Sequence, residues 1–203
     1  MLDYKSIPKS ESDLLLNEWG YDLLEEYFVL INEADFPSNN FIFDVATGTG
    51  RAVSILSRMK SNVITGDFSF DLKLESERRI SNEHLGKVSF IKLNLEHLPF
   101  QNNFVENIVC MNTLHELDNP FLCLNEIIRI HSGKGKLLIG DFNSEGYDVM
   151  DKLHTERYGK LHPRGKISSE ELRTILTVNY SEIKEINTKL NRVFIASGKG
   201  NEK

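Results

Sequence analysis

The chain has 203 residues, of which 40% are hydrophobic, 27% charged and 9% aromatic, and its formal charge is −6. This is the composition of one soluble globular domain, which at such a length hides roughly 70% of its unfolded surface and needs neither a disulfide framework nor a structural metal. Cys110 and Cys123 lie in apolar runs without CxxC spacing, so they read as reduced core thiols and not as a zinc site, and the acidic balance has the wrong sign for a protein held mainly by phosphate contacts.

In chain order, the opening Met1–Lys5 lacks a basic stretch followed by an apolar one, and no run approaches the roughly 18 apolar residues of a membrane span. A cytoplasmic protein is expected. The first element reads as one amphipathic helix with Leu15, Trp19, Leu23, Tyr27 or Phe28 and Ile31 on its apolar stripe. After Pro37 short apolar runs alternate with helical stretches. Phe41–Val45 precedes Arg51–Met59, Asn62–Thr65 precedes Phe70–His84, Val88–Leu93 follows, Ile108–Met111 precedes Pro120–His131, and Lys136–Ile139 comes after. Runs apolar on both faces suit a parallel sheet covered by helices, hence a doubly wound α/β architecture. Asn119-Pro120 is read as a helix start that Gly133 closes, and Ser168 with Glu171 as a capping box opening a helix through Leu172 and Leu176. Ser181–Leu190 and Arg192–Ser197 read as two strands joined tightly at Leu190-Asn191, an antiparallel hairpin ending the sheet.

The chemistry concentrates where the first strand ends. In Asp44-Val45-Ala46-Thr47-Gly48-Thr49-Gly50 a strand runs into a turn whose glycines let backbone approach a ligand, and a helix follows. Asp67 lies 19 residues after Gly48 at the end of the second strand, where a carboxylate accepts hydrogen bonds from both ribose hydroxyls of a nucleoside. An acid inside an apolar strand, as Asp44 is, is costly to hold without partners, which favours a site over a turn cap. Val53 stands where a dinucleotide fingerprint places its third glycine, and no Lys-Ser or Lys-Thr follows Gly50, so neither a nicotinamide site nor a phosphate loop is matched.

At these residues the chain resembles the class I S-adenosylmethionine-dependent methyltransferases, over about residues 40–198. Asp44–Gly50 is similar to that family's glycine-rich motif, Gly66-Asp67-Phe68-Ser69 to its acidic second motif, and Leu93-Asn94-Leu95 with Leu98-Pro99-Phe100 to its third. Asn107–Asn112 followed by Leu114-His115-Glu116 resembles the fourth strand and loop of its small-molecule members. The resemblance implies a seven-stranded, mostly parallel Rossmann-like sheet whose last strand is reversed, with residues 37–203 as the methyltransferase domain and 1–36 as a helical segment packed on it. It implies S-adenosyl-L-methionine as cofactor. Ala46, Thr47, Gly48 and Gly50 would hold its methionine part, Asp67 its ribose, Phe68 and Asn94 with Leu95 its adenine, with Asp44 and Asn112 lining the same site. Two departures from the family pattern are Ala46 for the first glycine, harmless if its φ is negative, and Asn94 for a common Asp.

For the methyl acceptor, His115 is a candidate general base with Glu116 facing elsewhere, and Asp141 and Asn143 lie beyond the fifth strand. Gly146–Gly165, with Tyr147, His154, Tyr158, His162 and Arg164, is expected to form one wall of the acceptor pocket, Tyr158 included, with its two glycines as hinges. His84, His97 and His131 read as exposed loop or helix-end histidines. The expected function is methyl transfer to a small molecule, with no membrane, no nucleic acid and no metal, and a homodimer left open. The alternatives are a methyltransferase acting on RNA or protein and a non-catalytic binder of the same cofactor.

Overall fold

The computed structural model describes residues 4–37, 41–59 and 61–200. Its strands are β1 (Ile42–Val45), β2 (Val63–Asp67), β3 (Val88–Lys92), β4 (Asn107–Met111), β5 (Leu137–Phe142), β6 (Tyr180–Asn187) and β7 (Asn191–Lys199). Its helices are α1 (Glu11–Glu18), α2 (Leu23–Ala34), α3 (Arg51–Leu56), α4 (Lys73–Arg79), α5 (Asn82–Leu85), α6 (Pro120–Ile130), α7 (Ser144–Tyr158) and α8 (Ser169–Asn179). The strands form one seven-stranded sheet in the order β3-β2-β1-β4-β5-β7-β6. The first five run parallel, and β7 is antiparallel to both β5 and β6.

Alternation along the central strands explains the continuous apolar runs. Val109, Leu138 and Val193 face a core shared with Leu16, Leu30, Val53 and Val149 from α1, α2, α3 and α7. Their neighbours Ile108, Ile139 and Phe194 face the opposite core, with Leu124 and Ile127 of α6 and Leu172 and Leu176 of α8. Every residue of β1, β4 and β5 is buried, so these strands carry no polar face. Among the described residues no helix is long and apolar enough to cross a membrane.

The N-terminal stretch is two helices where the sequence suggests one. The chain breaks at Gly20, which has φ +83°, and the Asp22 carboxylate starts α2 by accepting the Glu25 N–H at 3.0 Å. Helix α1 is tied to the core by a charge cluster. Asp13 closes a capping box with Ser10 and also pairs with Arg51 Nε at 2.8 Å and with the Arg79 guanidinium, Asp13 and Arg79 being 1% and 2% exposed. The Nε and Nη1 groups of Arg79 make no hydrogen bond, so Asp13 is its neutralising partner.

Other boundaries shift for identifiable reasons. The expected helix over 70–84 is the pair α4 and α5, because Ile80 between them is extended. Pro120 begins α6, but the Asn119 amide donates to Glu96 and does not cap the helix. Nor does Gly133 close it. The helix ends at Ile130, and Gly133 is where Lys199 of β7 passes, 3.0 Å from where a Cβ would stand. His131 is fully buried, not exposed, with Nδ1 3.0 Å from the Tyr180 hydroxyl and Nε2 3.0 Å from the Glu106 carbonyl. Burial pushes its pKa down to about 4, against the upward pull of the Glu106 carbonyl. The Ser168–Glu171 capping box forms as expected. β6 ends at Asn187, three residues earlier than read, and the hairpin turns through residues 188–190, because Glu26 of α2 accepts from the Thr188 hydroxyl, the Leu190 N–H and the Asn191 amide.

Candidate functional site

Chain order reverses between β1 and β4, and a cavity of about 690 Å³ opens at their carboxyl ends, the usual ligand position in an open parallel sheet. The turn after β1 runs through three left-handed residues, Ala46 (φ 64°), Gly48 (φ 50°) and Gly50 (φ 86°). Gly50 also admits α4, since a Cβ there would lie 2.5 Å from that of Ser76. The expectation that Ala46 keeps a negative φ is therefore corrected. A side chain stands where a glycine would be unstrained, a conformation that costs an L-residue about 1–2 kcal/mol.

Two hydrogen bonds lock the turn to β2. The Thr47 N–H donates to the Gly66 carbonyl at 2.9 Å, and the Gly48 N–H donates to Asp67 Oδ2 at 2.9 Å. Asp67 thus shapes the glycine turn, and its carboxylate retains acceptor positions toward the cavity it lines. Asp44 finds one partner, the Thr65 hydroxyl at 2.8 Å, which accepts in turn from Thr47 Oγ1 at 2.6 Å. Burial pushes the Asp44 carboxyl up to about 7, opposed by Thr65 and aided by the Asp67 charge.

Phe68, Asn94, Leu95 and Asn112 also line this cavity, whereas Gly50, expected beside the cofactor, packs against Ser76 of α4 instead. Phe68 is 72% exposed, so it is no core residue but a ring held out at the rim. The Asn94 side-chain oxygen accepts the Glu96 N–H at 2.9 Å, so one lone pair is already committed to its own turn. Asn112 adopts φ 51°, and its buried amide nitrogen and oxygen make no hydrogen bond within the protein. An orphaned amide, an exposed ring and a carboxylate bound to a backbone N–H together suit a nucleoside with a polar tail. Tyr27 and Arg51 complete this end of the cavity from α2 and α3. The sequence marks Tyr27 only as part of an apolar stripe and gives Arg51 no site role, because a residue on an amphipathic helix carries no mark of the site its helix covers.

At the other end a single 3-10 turn, Leu114–Glu116, follows β4 and presents His115. Its backbone N–H donates to Asp141 Oδ2 at 3.0 Å, and its Nδ1 pairs with Asp141 Oδ1, so two contacts from β5 fix the ring. Burial lowers the affinity of this ring for a proton, but the Asp141 hydrogen bond and the nearby Glu116 carboxylate outweigh it and raise the pKa to about 9. Glu116 does not face elsewhere. Its Oε1 lies 3.7 Å from His115 Nε2, and that contact holds its carboxyl below the usual range despite partial burial.

The segment over 146–165 does supply a wall, in a different form from the one expected. Through Tyr158 it is helix α7, capped by Asn143, which accepts the Gly146 N–H at 2.9 Å. Met150, Leu153, His154 and Tyr158 line the cavity from this helix, and His162 from the loop beyond it. Tyr147 and Arg164 line a separate pocket beside Asp141 and Ser168. The glycines are contact points and not hinges. A Cβ on Gly146 would stand 2.0 Å from the Leu190 carbonyl, and one on Gly165 would stand 2.6 Å from the His115 Cα. The His162 ring lies tilted, 4.7 Å from that of His115, and edge-on, 4.3 Å from that of His154, and burial with these two neighbours lowers its pKa to about 4.

Comparison with known proteins agrees with this architecture. Residues 43–139 match a family model described as a methyltransferase domain. The ubiquinone/menaquinone biosynthesis C-methyltransferase UbiE of Shewanella sediminis (strain HAW-EB3) is 28% identical over 127 residues, covering 61% of this chain and 51% of that protein. The demethylmenaquinone methyltransferase of Thermobifida fusca (strain YX) is 27% identical over 144 residues, covering 66% and 61%. The chain thus spans about half the length of the first of these relatives and somewhat more of the second. A crystal structure of a SAM-dependent methyltransferase from Aquifex aeolicus superposes with a TM-score of 0.63 at 22% identity, covering 93% of this chain and 98% of that one, a likeness of fold. The matched segment spans β1 to β5, and the reversed β7 completes the sheet beyond it, so this part of the chain is similar to a methyltransferase domain.

Proposed function

We propose that this protein binds S-adenosylmethionine and transfers its methyl group to a small-molecule acceptor. The observation that carries the reading is one continuous cavity with Asp67 and Phe68 at one end and His115, Glu116 and His162 at the other. When bound, the cofactor supplies an electrophilic methyl on a sulfonium. The chain's own contribution is to place the two reactants in line and to keep water out. The turn through Ala46, Thr47 and Gly48 and the Asn112 amide would hold the methionine end, Asp67 the ribose hydroxyls, and Phe68 with Asn94 and Leu95 the base. Met150 and Leu153 give the acceptor end an apolar side, and Asp141 aims His115 Nε2 into the cavity, where it can bind the acceptor. Relatives named for quinone biosynthesis support a compact ring-bearing acceptor, and the net charge of −6 supports a small molecule over RNA.

Calorimetry with S-adenosylmethionine and S-adenosylhomocysteine tests this reading. Asp67→Ala is expected to weaken both by about 1.5–3 kcal/mol, the worth of hydrogen bonds to a charged group. Equal affinity of variant and wild type would remove the ribose assignment, and absence of binding by the wild type would remove the function.

A further inference from the structure

The acceptor end of the cavity holds more ligating chemistry than methyl transfer needs. One donor atom each of His115, Glu116 and His162 lies within 4.8 Å of the other two, and both histidines are buried. Each imidazole is also held in the orientation of a metal ligand. His115 Nδ1 is clamped by Asp141, leaving Nε2 buried without a hydrogen-bond partner. His162 Nδ1 lies 2.9 Å from the Pro163 carbonyl, which makes it the protonated nitrogen and leaves the Nε2 lone pair free. A carboxylate or backbone carbonyl behind each imidazole is the arrangement that fixes tautomer and ring direction around bound metals. The loop carrying His162 is pinned in place as well, since the His162 N–H donates to Asp151 Oδ1 at 2.9 Å and Gly165 rests on the His115 backbone.

We propose that His115, Glu116 and His162 form a site for a divalent first-row cation, zinc foremost, with a fourth position open to the cavity for an ionisable oxygen or sulfur of the acceptor. Two imidazoles and one carboxylate suit zinc, and three protein ligands with one open position are characteristic of catalytic rather than structural sites. The proposal rests on the methyltransferase reading and names its acceptor class. On ligation the acceptor's O–H or S–H proton leaves to solvent. Its lone pair then forms the bond to the methyl carbon while the methyl–sulfur pair stays on the departing thioether, and the cation is unchanged. The cysteine count could not disclose such a site, since Cys110 and Cys123 are buried in the core away from it.

Cobalt(II) added to the full chain is the probe, because its visible absorption reports ligand number and type. One equivalent is expected to bind with a tetrahedral-type spectrum, to be displaced by zinc, and to bind at least tenfold more weakly to Glu116→Gln and to His162→Gln. These two variants are preferred to one at His115, whose buried ring also supports the fold. Asp141→Asn, which leaves the three ligands in place but loosens the positioning of His115, is expected to weaken cobalt binding by roughly 10–100-fold. A flat titration would overturn the proposal, as would cobalt binding indifferent to Glu116→Gln and His162→Gln. S-adenosylhomocysteine affinity measured on the same samples separates the two readings: intact cofactor binding without cobalt binding removes the metal site alone.

Discussion

Replacing Asp13 with Asn is expected to unfold this protein many degrees early, although the residue touches no ligand. The carboxylate is 1% exposed and pairs with two guanidiniums, Arg51 at 2.8 Å and the equally buried Arg79. Asn keeps the shape but leaves Arg79, whose Nε and Nη1 already lack hydrogen bonds, as an uncompensated buried charge. Removing one partner of a buried pair costs about 3–5 kcal/mol. In a chain of this length that corresponds to a fall in Tm of about 6–20 °C, readable by calorimetry at pH 7. The pH course adds a second check. Burial alone would raise the Asp13 carboxyl, but the two arginines and Ser10 hold it well below the ordinary range, so the folded state binds its proton less readily than the unfolded state. The stabilisation is therefore complete above the unfolded pKa of about 3.9 and disappears as pH falls through the folded value. Wild type and variant should keep a constant gap from pH 7 to pH 5 and converge only in strong acid. A fall in Tm below about 2 °C, or a gap already closed at pH 5, would refute the claim that this cluster anchors α1.

Other substitutions read other parts of the fold. Ala46→Gly should stabilise by about 0.5–1 kcal/mol, the relief of left-handed strain less the extra freedom of the unfolded chain, and a destabilised variant in urea titration would show that Ala46 is not strained. His131→Gln should flatten the pH dependence of stability. A neutral buried imidazole of pKa about 4 is stabilising above the unfolded value near 6.5 and loses about 2 kcal/mol by pH 5, so equal slopes for variant and wild type between pH 7 and 5 would contradict its burial. Gly146→Ala should cost about 1–3 kcal/mol by forcing α7 away from the Leu190 carbonyl, and an unchanged Tm would mean that this contact is loose.

What the sequence discloses divides along a physical line. Strands buried on both faces, such as Ile108–Met111, show as unbroken apolar runs, and the glycine turn with Asp67 shows as spacing, because both signals are local. The histidine cluster is not local. His115 and His162 come from a strand end and from a loop beyond α7, and only the parallel register of β4 with β5, together with the docking of Gly165, brings them into contact. Sign of φ is equally hidden: nothing in the letters around Ala46 tells that its backbone is left-handed. A histidine ending a helix, as His131 does, looks the same in sequence whether it meets solvent or the Tyr180 hydroxyl.

The place of β7 between β5 and β6 has a consequence for how the chain is made. During synthesis β5, buried along its whole length in the finished sheet, emerges well before the strand that hydrogen-bonds to its open side, and β6 emerges before the strand that joins it to the sheet. Until Asn191–Lys199 clears the ribosome, the nascent protein presents an unsatisfied apolar edge that invites pairing with other chains. Speed of the final insertion, more than the stability of the finished sheet, then governs how much of the product escapes aggregation, and any holdase acting on this protein would find its target at β5.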